Sequence, residues 1–178
     1  MSRDRDPAGR PRNARPRDAL GRPLAPADAE AGQAMIPDDL ARPGPDAARL
    51  ADQLLRAGRP FHAHEVLEAS WKSAPPAERD LWQGLAQVAV GLTHAHRGNA
   101  RGAVTLLRRG AGRARGYRDQ AEPSAGGAHD HPFGIDLAAV LAACDDLAAR
   151  IERQGLADIP AEDLRLRLTV RSEAEDPG

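Results

Sequence analysis

Apolar residues recur every three or four positions along most of this chain, the spacing that gives a helix one buried stripe. Leu50, Leu54 and Leu55 mark a first helix that begins near Pro45-Asp46, with Asp46 as its cap and Gly58 as its stop. Pro60 suits the first turn of a second helix, which runs to about Ser73. Pro75-Pro76 interrupts it, and a third helix covers about Ala77 to Arg97. Gly98-Asn99 is a turn, and Asn99 can cap a fourth helix reaching roughly Arg115. Gly116 to Pro132, with its Pro, Ser, Gly, His and Asp, reads as a loop. A fifth helix spans about Ile135 to Gln154 on the stripe Leu137, Val140, Leu141, Cys144, Leu147, Ala148 and Ile151.

The ends break this period. Leu164 to Arg171 alternates strictly between apolar and polar, which is strand periodicity without an evident partner edge. Such a segment can lie extended along the bundle or pair across a dimer. Residues 1–44 form an Arg/Pro-rich arm, in which Arg3 to Pro26 has almost no large apolar residue and too little to offset the entropy of ordering it. Up to Asp28 it carries seven Arg against four Asp, so it is either a solvated tail or a partner-binding or nucleic-acid-binding arm. The expected organisation is therefore all-α: a disordered arm at 1–44, a compact bundle of about five helices at 45–155, and an extended or disordered tail at 156–178.

Composition sharpens this. Aromatics are 3 % of the chain, and Ala and Leu supply most of the apolar content, which favours close-packed helices over a sheet. A net charge of −1 gives the whole chain no field to steer nucleic acid. One cysteine, Cys144, excludes a disulfide framework and should be an inert core thiol. With no apolar run of membrane-span length and no signal-peptide core after Met1, a cytoplasmic location is expected.

The third helix is unusual. From Leu81 to His96 it has no Asp, Glu, Lys or Arg, so it should be central and covered by the others. Leu81, Leu85, Val88 and Leu92 form its apolar stripe, and Gly84, Gly91 and Ala95 leave room for a neighbouring helix. Gln83, Gln87 and His94 line up on the opposite side, where each would need a hydrogen-bond partner or a ligand. The second helix offers a complement: His64 and Glu68 are four residues apart, flanked by Phe61 and Trp71, with Glu65 at the edge.

Facing each other, these stripes would make a polar pocket inside a bundle, lined by Phe61, Trp71, Gln83 and Gln87. The order His64-Glu65-x-x-Glu68 resembles the helical zinc motif with Glu as second ligand. His64, Glu68 and His94 would then hold zinc or manganese, and Glu65 would be the general base toward a metal-bound water. The competing readings are a hydrogen-bond network locking the second helix to the third, and a small-molecule pocket without metal.

Other groups carry less. His129-Asp130-His131 falls in the Gly-rich loop, and His62 and His96 read as surface or boundary residues. Arg101, Arg108, Arg109, Arg113, Arg115 and Arg118 make the fourth helix and its exit basic, an anion or nucleic-acid face or a solvated one. Gly102, Gly110 and Gly112 read as close-packing positions in that helix.

The stretch from Phe61 to Leu107 resembles the domain of unknown function 309 family. The resemblance rests on Phe61, Ala63-His64-Glu65, Glu68, Trp71, Gln83-Gly84-Leu85, Gln87, His94, Arg97-Gly98-Asn99, Gly102-Ala103 and Leu106, and later on Gly134-Ile135-Asp136. It covers residues 45 to about 153 and implies a compact helical bundle, in a family often labelled as metal-dependent hydrolases. Leu67 departs from the family's bulkier residue before the second Glu, and the arm is longer than in short members. Two functions are expected from these readings. One is a metal-dependent hydrolase of a small substrate. The other is a non-enzymatic helical interaction module whose expected partners are a protein, a small molecule or a second copy of the chain in a homodimer.

Overall fold

The computed structural model describes residues 43–120 and 131–170, together with Asp18 and Arg22. Five α-helices occupy the described residues: α1 (Pro45–Arg56), α2 (Pro60–Ser73), α3 (Arg79–His96), α4 (Ala100–Gln120) and α5 (Leu137–Gln154). Short 3-10 turns stand at Pro76–Glu78, Pro132–Gly134 and Ala161–Leu164. The bundle is all-α, as the periodicity predicts. The remainder of the arm, the loop at 121–130 with most of His129-Asp130-His131, and residues 171–178 lie outside the described residues.

Helix ends follow local chemistry. Pro45 takes the first helical position of α1, and Gly44 rather than Asp46 is its N-cap. Asp46 sits in the first turn instead, paired with Arg49. At the other end Gly58 turns left-handed (φ +70°), its N–H bonds Leu55 O, and Arg59 N–H bonds Leu54 O. That paired closure recurs after α3, where Gly98 (φ +76°) bonds Ala95 O and Asn99 bonds His94 O. A 3-10 turn holds Pro76–Glu78, so α3 proper starts at Arg79. Asp136 caps α5 by accepting from Ala139 N–H at 3.1 Å, which moves that helix's start to Leu137. Helix α4 does not stop near Arg115. It runs on through Gly116 to Gln120, with Tyr117 packed on the core.

Helix α3 is central, as its lack of charge predicts: no residue from Leu81 to His96 is exposed. Its closest neighbour is α4, and glycine permits the approach. A Cβ on Gly84 would stand 2.7 Å from Gly110 O, and one on Gly110 would stand 2.5 Å from Gly84 O. The two backbones are therefore in van der Waals contact. Gly91 repeats this more gently against Leu107 N at 3.0 Å. Gly112 does not: a side chain there would meet open space.

The Arg residues of α4 tie the outer layer. Arg113 pairs with Asp80 of α3 at 2.7 Å, Arg115 with Asp145 of α5 at 2.7 Å, and Arg108 grips both carboxylate oxygens of Glu152. Three of the six basic groups thus meet acids on neighbouring helices, so about half of the positive charge on this face is paired.

After α5 the chain returns along the bundle. Leu164, Leu166 and Leu168 are buried, while Arg165 is exposed, so the alternating segment lies extended on the core. Its edge meets the start of α5: Asp136 N–H bonds Leu168 O, Val170 N–H bonds Gly134 O, and Ile135 and Thr169 form one antiparallel bridge. Asp52 of α1 completes the anchoring. Its Oδ1 accepts from Leu168 N–H at 2.6 Å and Thr169 N–H at 3.1 Å, with the residue 3 % exposed.

The packing gives two expectations measurable by urea denaturation. Gly84→Ala and Gly110→Ala should each lose about 1–3 kcal/mol, the usual cost of overpacking, whereas Gly112→Ala gains up to about 1 kcal/mol. Asp52→Ala should cost about 1–3 kcal/mol, because two buried N–H groups lose their acceptor.

Candidate functional site

Helix α2 turns a different side inward from the one its aromatics suggest. Pro60, His62, Ala63, Val66, Leu67 and Ser70 are its buried residues. Ala63, Val66, Leu67 and Ser70 follow the i, i+3, i+4, i+7 spacing, and burying that apolar set governs the rotation of the helix. Leu67, the position where the chain departs from the family pattern, is fully buried. Phe61, His64, Glu65, Glu68 and Trp71 fall on the half-buried flank instead.

On that flank His64 and Glu68 do come together. His64 Nε2 lies 3.9 Å from Glu68 Oε2, with side chains 25 % and 36 % exposed, and Lys72 Nζ approaches Glu68 Oε1 at 3.4 Å. This is an i, i+4, i+8 ladder of charge along one helix edge. Phe61 leans on the His64 ring, centroids 6.3 Å apart. Burial holds the His64 imidazole below its usual value; Glu68 pulls it up and Lys72 pushes it down further.

His94 is elsewhere, at the α3–α4 corner. Asn99 Oδ1 accepts from Gly102 N–H at 2.9 Å, which caps α4 as the sequence predicts and leaves the Asn99 amide Nδ2 facing His94 Nδ1 at 2.7 Å. The amide nitrogen is a donor, so Nδ1 accepts and the ring proton resides on Nε2. Gly102 makes room for this contact, since a Cβ there would stand 2.5 Å from His94 Nδ1. Among the described residues, no three His, Cys, Asp or Glu side chains stand close enough together to hold a metal ion. Gln83 and Gln87 are half-buried on α3, and Gln87 Oε1 is buried without a hydrogen-bond partner.

Two further polar groups, His62 and Asp52, lie inside the bundle. His62, expected near the surface, is 1 % exposed with its Nδ1 lacking a partner. Burial lowers its pKa, Arg59 adds to that, and Asp18 opposes it. Asp52 could have been found, since it stands on the same face of α1 as the buried Ala48 and Leu55. His96 is half-buried, and its pKa is lowered by burial and by Arg165. Cys144 behaves as an inert core thiol, its pKa pushed up to about 12 by burial. A cavity of about 470 Å³ opens between α4 and α5, lined by Arg101, Val104, Arg108, Ile151 and Glu152; His64, Glu65, Glu68, Gln83, Gln87 and His94 do not line it.

Three imidazoles with lowered pKa values make the fold acid-sensitive. The unfolded chain takes up protons first, from about pH 6.5, so stability is whole above that value and falls as pH drops toward the folded values. The midpoint of thermal unfolding should decrease from pH 7.5 to 5.5, and His62→Gln and His96→Gln should each flatten that decrease. An unchanged slope in both would contradict the assignment.

Comparison with known proteins bears on residues 49–106, which match the profile of a family described as Domain of unknown function (DUF309). The chain is also 46 % identical over 48 residues to the uncharacterized protein YpuF of Bacillus subtilis (strain 168), a match that spans 26 % of this chain and 28 % of that relative. No solved structure matches. The matched stretch holds His64, Glu65, Glu68, Gln87, His94 and Asn99, so it is over residues 49–106 that this chain is similar to the DUF309 family.

Proposed function

We propose that the chain is a non-enzymatic helical interaction module in which the His, Glu and Gln residues of the motif are structural. The observation that carries this is the His94–Asn99 contact. A metal takes a lone pair on a neutral ring nitrogen, and at His94 the Nδ1 lone pair accepts from Asn99 while Nε2 holds the proton. His94, Asn99 and Gly102 then work as one corner lock. The imidazole fixes the amide, the amide fixes the cap of α4, and the absent side chain at 102 leaves space for both. His64, Glu68 and Lys72 form an edge ladder of the kind worth a few tenths of a kcal/mol per pair.

The rival reading is a metal-dependent hydrolase, with zinc or manganese on His64, Glu68 and His94 and Glu65 activating water. What favours it is the 3.9 Å approach of His64 to Glu68. A third ligand would require His94 to leave Asn99, at a cost of about one hydrogen bond.

Metal analysis by mass spectrometry, after equilibration with zinc and manganese and then dialysis, decides between them. The expected wild type retains far less than one metal per chain. His94→Ala should lose about 1 kcal/mol of stability, and His64→Ala and Glu68→Ala less than about half of that. One zinc or manganese per chain, lost in both His64→Ala and Glu68→Ala, would overturn the proposal in favour of the hydrolase.

A further inference from the structure

One end of the bundle gathers positive and imidazole groups that the motif does not use. The α1–α2 turn brings Gly58 and Arg59 there, the first turn of α2 carries His62, α3 ends with His96, and the extended segment passes by with Arg165. Arg165 Nε lies 3.8 Å from the place a Gly58 side chain would start, so its guanidinium rests on the turn beside Arg59. The charge of Arg59 reaches His62, and that of Arg165 reaches His96. Three nitrogens here are buried without a hydrogen-bond partner: Arg59 Nε, His62 Nδ1 and His96 Nε2. Native proteins rarely leave such atoms unsatisfied, and a cluster of them marks a place for something not of the protein. The first turn of α2 adds to it, because its N-cap Arg59 supplies no side-chain acceptor.

We propose that Arg59, His62, His96 and Arg165 form a binding site for a small oxyanion. Two guanidiniums beside the imidazoles oppose a metal cation and favour negative charge. A guanidinium fork matches either a phosphate or a carboxylate. The site is closed on the His62 side and open where Arg165 is exposed. Asp18 of the arm is the acid whose charge reaches His62, and it repels an added anion.

Isothermal titration of the full chain with inorganic phosphate, and separately with acetate, tests this at fixed pH, with sodium chloride holding ionic strength constant. Saturable one-to-one binding of at least one of them is expected. Phosphate alone points to a phosphoryl group, and comparable acetate binding to a carboxylate. Arg165→Ala and His96→Ala should each weaken binding about tenfold or more, the loss of one charge-assisted contact. Arg165 is exposed, so its variant keeps the fold, which circular dichroism checks. Asp18→Asn should tighten binding. No saturable binding of either anion, equal affinity in the wild type and both weakening variants, or looser binding by Asp18→Asn would each overturn the proposal. These outcomes are independent of metal content, so this site and the structural reading of the motif stand or fall separately.

Discussion

The contact of the α3 backbone with the α4 backbone, at Gly84 and Gly110, sets the geometry of everything else. With carbonyl oxygens under 3 Å from where side chains would begin, these helices cannot slide or rotate without opening the seam. The fixed pair presents α2 with one surface and α5 with another. Dispersion forces act over many atoms at such a distance, which is how a chain with few aromatics holds a dense core. Trp82, fully buried on α3, is its largest side chain, closed over by Phe133 from the turn before α5.

Three residues of the motif meet at the corner where this hairpin reverses. Imidazole, amide and glycine at positions 94, 99 and 102 are in mutual contact there. A pattern built from His, Glu and Gly is compatible with ligation and with capping alike, and only the direction of the hydrogen bonds tells them apart. The stretch that matches the family profile, residues 49–106, includes this corner.

The helices were legible because apolar spacing is a direct consequence of burial, and α3 was placed centrally by its lack of charge. The facing of α2 was not legible. Phe61 and Trp71 attract attention by size, yet Ala63 and Ser70, small and unremarked, share the inward side with Val66 and Leu67. Nor did composition show that α4 would continue past Gly116, since Tyr117 reaching the core outweighs a glycine's reluctance to be helical. The burial of His62 was hidden for the same reason: its place depends on how α2 is rotated, which nearest-neighbour residues do not encode. The pairings of α4 were hidden too, because the acids that meet three of its arginines come from α3 and α5, 30 to 44 residues away along the chain.

Asp52 and Leu168 are joined across 116 residues, nearly the whole span of the folded body. A ribosome makes the first of these long before the second, so α1 emerges with an acid on its inner side that only Arg56 of the same helix, 3.8 Å away in the fold, can approach. Until the last apolar alternation leaves the exit tunnel, that carboxylate must stay wet, and α1 cannot settle fully against its neighbours. The nascent bundle is thus held ajar at its first helix and latched by its final residues, an order of assembly written into a single buried acid.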